Sequence, residues 1–93
     1  PMFHCNGWGH AWTMAAIAGT IFCTRAIDPE EIFSTILEHE ISHFGGAPIV
    51  LSMLLNSPAA KDFVCNHKIE LMTAGAPPPA AVLQGVDFIS QCC

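Results

Sequence analysis

Two histidines stand four residues apart in His39-Glu40-Ile41-Ser42-His43. On one helix that spacing puts both rings on one face, where they can hold zinc while the glutamate acts as a base. The pattern extends to Gly46, but the long form of the motif wants a third histidine where this chain has Ile49. The other source of a third ligand would be Glu70, which lies in a strand-like run. The motif also straddles the expected end of a helix. Zinc hydrolysis is therefore kept only as an alternative, and no metal ligand is assigned.

Cys5 lies close in sequence to His4 and His10, which is the composition of a cysteine–histidine nucleophile pair. Neighbours in sequence need not meet in space, so no catalytic residue is assigned. Gly7-Trp8-Gly9 lacks the third glycine of a dinucleotide turn, and no G-x-x-x-x-G-K-[ST] phosphate loop occurs. His67 and Lys68 read as exposed loop residues. Thr73-Ala74-Gly75-Ala76-Pro77-Pro78-Pro79 follows an apolar run and precedes a helical one. Its small residues leave a flat gap, and its prolines fix φ where a helix starts. Such a loop can lie against a planar ring, and it can equally be an ordinary strand-to-helix turn.

These residues need elements to position them. The region of Met2-Phe3-His4 reads as a strand end. Trp8, Trp12, Ala15, Ala16 and Ala18 suggest a small, well-buried helix stopped by Gly19. Thr20 to Thr24 is β-branched and aromatic and predicts a buried strand. Asp28-Pro29-Glu30-Glu31 is a helix start: Asp28 as cap, Pro29 at the first position, Glu31 closing a capping box. Ile32, Phe33, Ile36 and Leu37 follow at helical spacing. Ile41 to Phe44 predicts a strand, Pro48 opens a helix to about Leu55, and residues 56–66 read as polar and irregular. Lys68 to Met72 predicts a strand, Thr73 to Pro79 a tight loop, and Ala80 to about Ile89 a helix. Strand alternating with helix implies βαβ units. The predicted fold is α/β, about four βα units of a mostly parallel, doubly wound sheet. In such sheets ligands bind outside the carboxyl ends of the strands. Here those ends include Gly45-Gly46-Ala47 and Thr73 to Pro77.

Ninety-three residues make at most one small domain. Of these 52% are hydrophobic and only 12% charged, against about 25% charged in an ordinary soluble domain. So few charges solvate a free-standing globule poorly. The longest apolar stretch, Ala11 to Cys23, is 13 residues, short of the ~20 a spanning helix needs. The chain opens at Pro1 without a signal-peptide pattern. It is read as an interior piece of a larger soluble protein, a partial domain over residues 1–93 truncated at both ends. Lys61, Lys68 and Arg25 are its only basic residues and are scattered, giving a net charge of −5, which argues against nucleic acid and against anionic membrane surfaces. Five cysteines without a C-x-x-C read as reduced thiols.

Three blocks carry a resemblance: Pro1-Met2-Phe3-His4-Cys5-Asn6-Gly7-Trp8, Ser42-His43-Phe44-Gly45-Gly46-Ala47-Pro48 and Leu71-Met72-Thr73-Ala74-Gly75-Ala76-Pro77-Pro78-Pro79. In this order they resemble the AMP-forming acyl-activating enzymes (acyl-CoA synthetases and AMP-dependent ligases), and the plant-type members most. The similarity reaches about Leu83 and fades after residue 84.

The resemblance implies a carboxylic acid–CoA ligase. An acid and ATP give an acyl-adenylate and pyrophosphate, and coenzyme A then displaces AMP. It implies ATP, coenzyme A and Mg2+ for the complete enzyme, none held tightly by this segment. His4, Asn6, Thr73 and Ala74 match acyl-pocket positions. Gly75, Ala76 and Pro77 match the loop that packs on adenine. Arg25 falls near a basic residue that meets the coenzyme A phosphates. Gly45-Gly46-Ala47 is similar to the neighbouring loop under the pocket. The expected partners are a small carboxylic acid, ATP, coenzyme A and the remainder of the same domain. The expected location is intracellular, cytosolic or peroxisomal. The family's phosphate-gripping loop, ribose-binding aspartate and catalytic lysine match nothing in this chain. The 93-residue chain alone is therefore expected to be inactive, and an inactive truncated remnant is the alternative.

Overall fold

A computed structural model describes residues 4–91, with the side chains of residues 5, 6 and 87–91 outside that description. A 3-10 turn, Cys5–Gly9, leads into helix α1, His10–Ala16. Helix α2 is Pro29–Glu38, strand β1 His43–Gly45 and helix α3 Pro48–Asn56. A second 3-10 turn, Pro58–Lys61, precedes strand β2, Glu70–Met72, and helix α4 spans Ala80–Gln91. The two strands are parallel, with His43 opposite Glu70, Phe44 opposite Leu71 and Gly45 opposite Met72.

The start of α2 follows from its sequence. The Asp28 side chain accepts from the Glu30 N–H at 3.0 Å, Pro29 needs no donor there, and two glutamates face the positive end of the helix dipole. Asp28 thus caps the second helical residue rather than closing the box at Glu31. Ile32, Phe33 and Ile36 make the buried stripe of α2. They meet Leu54 of α3 and the loop residues Phe63, Cys65 and Ile69. The Phe33 and Phe63 rings lie 4.5 Å apart. Fully burying such a side chain contributes about 1.5–3 kcal/mol. Leu37, expected on this stripe, is 42% exposed, because the stripe is only wide enough for its three neighbours.

Successive strand residues point to opposite faces. Phe44 packs toward the α2–α3 core, whereas a Cβ on Gly45 would meet His10 at the start of α1. One face of the parallel pair thus meets the α2–α3 core, and on the other the His10 ring lies against Gly45. Against α3, α4 comes in through Gly85, where a Cβ would stand 2.8 Å from a Leu55 methyl.

Several expectations need correction. The run Thr20 to Thr24 forms no strand among the described residues, and Ile21 and Phe22 are exposed. β-propensity expresses packing against neighbouring strands, and none lies beside this run among the described residues. Two strands are thus seen there rather than four, and the expected strand end at residues 2–4 lies almost wholly outside the described residues. α1 has no buried residue, and Trp12 is 67% exposed. An apolar helix shows what it can bury, not what covers it. Its stop is also one residue early: Ala18 holds the left-handed conformation at φ 54°, and the Gly19 N–H closes on the Met14 carbonyl at 2.8 Å. The stretch 56–66 is not merely polar loop, since Phe63 and Cys65 are core residues.

Candidate functional site

At the carboxyl end of the sheet the Gly46 N–H donates to the Met72 carbonyl at 3.1 Å, one step beyond the last strand pair. This bond sets the loop Gly45-Gly46-Ala47 against the start of the loop Thr73 to Pro79. The two loops singled out in the sequence thus share one edge because their strands are adjacent and parallel.

Thr73 follows β2 directly and is half-buried. Its hydroxyl oxygen is shielded from solvent and has no hydrogen-bond partner among the described residues. A buried hydroxyl without a partner costs about 1–3 kcal/mol, so such groups normally face a missing polar atom. Gly75 has φ +99°, a conformation other residues rarely adopt, and a Cβ there would meet nothing within 4 Å. Ala74, Gly75, Ala76 and Pro77 are all exposed. The loop therefore presents backbone and small side chains to open space.

On the other side of Gly45 sits His10. A Cβ on Gly45 would strike Cε1 of that ring. The Trp8 ring stands edge-on to the imidazole, with centroids 6.4 Å apart. His10 ties the turn Cys5–Gly9 to the carboxyl end of β1. His4 caps that turn, is exposed, and its carbonyl accepts from the Gly7 N–H at 3.1 Å. Asn6 lies in the same turn, with its side chain outside the described residues. Sequence reasoning weighed His10 only as a partner for Cys5 and missed this placement. The available signal was Gly45 itself, since a strand-end glycine marks close approach by another group.

Arg25 is exposed on the bend before α2 and is joined to the strand ends by no hydrogen bond or ion pair among the described residues. His39 caps the end of α2, Glu40 turns back with φ 49°, and His43 begins β1. The two histidines therefore do not share a helical face. The His39 ring stacks on Phe22 at 4.4 Å, and His43 Nδ1 is paired with the Ser42 hydroxyl at 2.9 Å. Among the described residues no three His, Cys, Asp or Glu side chains converge.

A cysteine–histidine pair does exist, but at Cys65 and His67, with Sγ 3.3 Å from Nδ1. His67 is half-buried rather than an exposed loop residue. This pair and the Lys68–Glu70 ion pair sit at the amino ends of the strands, opposite the loops. The hydrogen bond from Lys68 holds the Glu70 carboxyl below its ordinary range, with the ammonium charge second. The same bond holds the Lys68 ammonium above its ordinary value.

An apolar cavity of about 40 Å³ lies among Phe33, Phe44, Leu51, Leu71 and Val86. Its lining is wholly apolar, without the polar groups that would orient a nucleotide. No helix among the described residues is long and apolar enough to cross a membrane.

The AMP-binding enzyme family matches residues 1–91. Among curated proteins, the chain is 53% identical over 83 residues to a protein named Probable CoA ligase CCL11 of Humulus lupulus, covering 89% of this chain and 14% of that one. It is 49% identical over 83 residues to 2-methylpropanoate–CoA ligase CCL4 of the same plant, covering 89% and 15%. It is 47% identical over 89 residues to Probable acyl-activating enzyme 9 of Arabidopsis thaliana, covering 96% and 16%. The chain thus spans about one-sixth or less of the length of these relatives. No solved structure matches it at a significant level. With parallel strands whose carboxyl ends bring the two glycine-containing loops together, and with a family match over nearly its whole length, the chain belongs to the AMP-binding enzymes, among plant-type acyl-activating relatives.

Proposed function

We propose that this chain is a partial AMP-dependent synthetase domain, contributing the acyl-pocket edge and adenine loop of an ATP-dependent, AMP-forming carboxylic acid–CoA ligase. The observation that carries it is the joined loop edge: the Gly46–Met72 bond, the unpartnered Thr73 hydroxyl beside it, and the open left-handed turn at Gly75. In the reaction a carboxylate oxygen attacks the α-phosphorus of ATP, forming the mixed anhydride and expelling pyrophosphate. The thiol sulfur of coenzyme A then attacks the acyl carbon, loses its proton and expels AMP.

Gly75, Ala76 and Pro77 would lie against adenine, where an absent or small side chain allows close approach. Thr73 and Ala74 would border the acyl group, the Thr73 hydroxyl finding its missing partner in bound ligand. His4 and Asn6 would close the pocket from the turn tied to β1 through His10. Arg25 would meet the coenzyme A phosphates from its exposed bend. Mg2+ would neutralise phosphate charge in the complete enzyme, but the described residues offer it no donor set, and no step is assigned to it here.

The test uses a full-length relative carrying this segment in place of its own, hereafter the graft. Acid-dependent ATP–pyrophosphate exchange should be supported by the graft. It should fall about tenfold or more in Thr73→Val, which removes the hydroxyl at similar volume, and recover in Thr73→Ser. Equal exchange in all three proteins sinks the Thr73 assignment. The 93-residue chain alone has three basic residues and no phosphate loop, whereas stabilising a transferring phosphoryl group needs positioned cations. Alone it should form no AMP. Acid-dependent AMP release by the isolated chain would overturn that.

A further inference from the structure

We propose that His39 is a positioning residue for the coenzyme A step: its ring, stacked on Phe22, fixes the segment that carries Arg25 to the coenzyme A phosphates. This rests on the acid–CoA ligase reading above and on the Arg25 assignment within it.

From Thr20 to Ile27 the chain forms no helix or strand, and every residue is exposed. Its backbone makes no hydrogen bond there among the described residues. Its one hydrogen-bond or ring contact among them is a stack. The Phe22 ring lies on the His39 ring with centroids 4.4 Å apart and planes 28° from parallel. His39 is itself fixed, since it caps the end of α2 with its N–H on the Thr35 carbonyl at 3.1 Å. Ring pairs favour particular offsets and angles, so the stack holds Phe22 at a defined place on a rigid helix end.

Arg25 follows Phe22 by three residues, and Asp28, the cap of α2, follows Arg25 by three more. The segment thus meets α2 at its last turn and enters it at the first, with Arg25 midway between two fixed points. After α2 the chain reverses at Glu40, φ 49°, with the Ile41 N–H on the Ile36 carbonyl at 3.0 Å. It then enters β1, whose Phe44 packs back on the core that α2 helps to form. α2 therefore starts on the side of the strands' carboxyl ends, and the return from Phe22 to Asp28 carries Arg25 toward the loop edge. Arg25 is the only Asp, Glu, Lys or Arg among the first 27 residues, and no carboxylate pairs with it among the described residues. Its guanidinium is left for an anion from outside the segment, and its planar fork suits phosphate. Without the stack the segment would have to be ordered each time coenzyme A binds, which lowers apparent affinity by the fraction of time it is in place.

The graft carries the test, with two readouts: acid-dependent ATP–pyrophosphate exchange for the first step, and the KM for coenzyme A in CoA-ester formation for the second. Arg25→Ala should raise that KM by about tenfold, as loss of a hydrogen-bonded charge does. His39→Ala should raise it by about threefold or more and leave exchange unchanged. Phe22→Ala should do the same, and it decides the matter if His39→Ala does not fold. His39→Phe keeps a ring to stack and should restore the parental KM. Added to Arg25→Ala, His39→Ala should raise the KM no further, since it acts through the arginine. An unchanged KM in His39→Ala and Phe22→Ala, or an equal loss in both steps, would mean a merely structural stack and overturns the proposal. An unchanged KM in Arg25→Ala would overturn the Arg25 assignment, and the proposal with it. No exchange by the parental graft would instead overturn the ligase reading itself.

Discussion

The Cys65 thiol lies 3.3 Å from His67 Nδ1, and the other ring nitrogen of His67 donates to the Ile41 carbonyl at 2.9 Å, twenty-six residues away in sequence. A carbonyl only accepts, so Nε2 carries a proton. In the neutral ring Nδ1 is then an acceptor for the thiol, which can also donate to the His67 carbonyl at 3.1 Å. Ile41 precedes β1 and His67 precedes β2, so the imidazole clasps the amino ends of the two strands. Cys65 is only 1% exposed, the deepest position among the described residues.

Removing that clasp leaves the Ile41 carbonyl without its ring donor. His67→Ala should destabilise the fold by about 1–3 kcal/mol, and His67→Gln should restore part of it by donating an amide N–H. The thermal midpoint of the graft measures both. Unchanged midpoints in both variants would show that the clasp contributes nothing.

Ala18 holds the left-handed position that ends α1, with its N–H on the Ala15 carbonyl at 3.4 Å and Gly19 closing on Met14. An L-residue there costs about 1–2 kcal/mol. Ala18→Gly should therefore stabilise by about 1 kcal/mol, although Ala18 is exposed. Gly19→Ala should move stability little, since the Met14 Sδ that its Cβ would meet at 2.7 Å lies near the end of a flexible side chain. A denaturant midpoint that does not rise in Ala18→Gly would contradict the strain at Ala18.

The Lys68–Glu70 pair sets a pH signature. Glu70 titrates below its ordinary value because Lys68 bonds to it, so its small contribution is complete above that value and is lost as pH falls through the lowered one. Lys68 titrates above its ordinary value, so its contribution is complete at lower pH and is lost as pH rises through the raised one. Both side chains are well exposed, which keeps the effect on stability slight and sensitive to salt. Carbon-detected NMR of the Glu70 carboxyl should show its midpoint rise in Lys68→Met and in high salt. A midpoint that moves under neither condition would remove the pair.

Gly75 tests the adenine loop. Its φ of +99° resists any side chain, while the space beyond its Cα is open. Gly75→Ala and Gly75→Val should both cut acid-dependent exchange by the graft, valine the more, by about a hundredfold. The branched side chain adds bulk beside the ring to the backbone strain. Stability should change little between the two variants, since no neighbouring atom is struck. Full exchange by a folded Gly75→Val graft would place the adenine elsewhere.

Local signals were legible without coordinates wherever one short stretch carries the whole cause. Asp28-Pro29 starts a helix because cap, ring and dipole act within one turn. The apolar runs before Gly46 and Thr73 end as strands. The three ordered blocks were enough to name the family. What needed tertiary structure were the relations across many residues. Thr20 to Thr24 has the composition of a strand, yet a strand also needs a neighbour to take its hydrogen bonds, and composition does not say whether one is present. Phe63, Cys65 and His67 looked like loop and became core and clasp, because burial depends on what the chain folds over them. His10 reached Gly45 only because the packing of turn, helix and strand end brings them together from thirty-five residues apart. Hydrogen-bonding habit and propensity act over a few residues, whereas contact over such distances is decided by how all the elements pack at once.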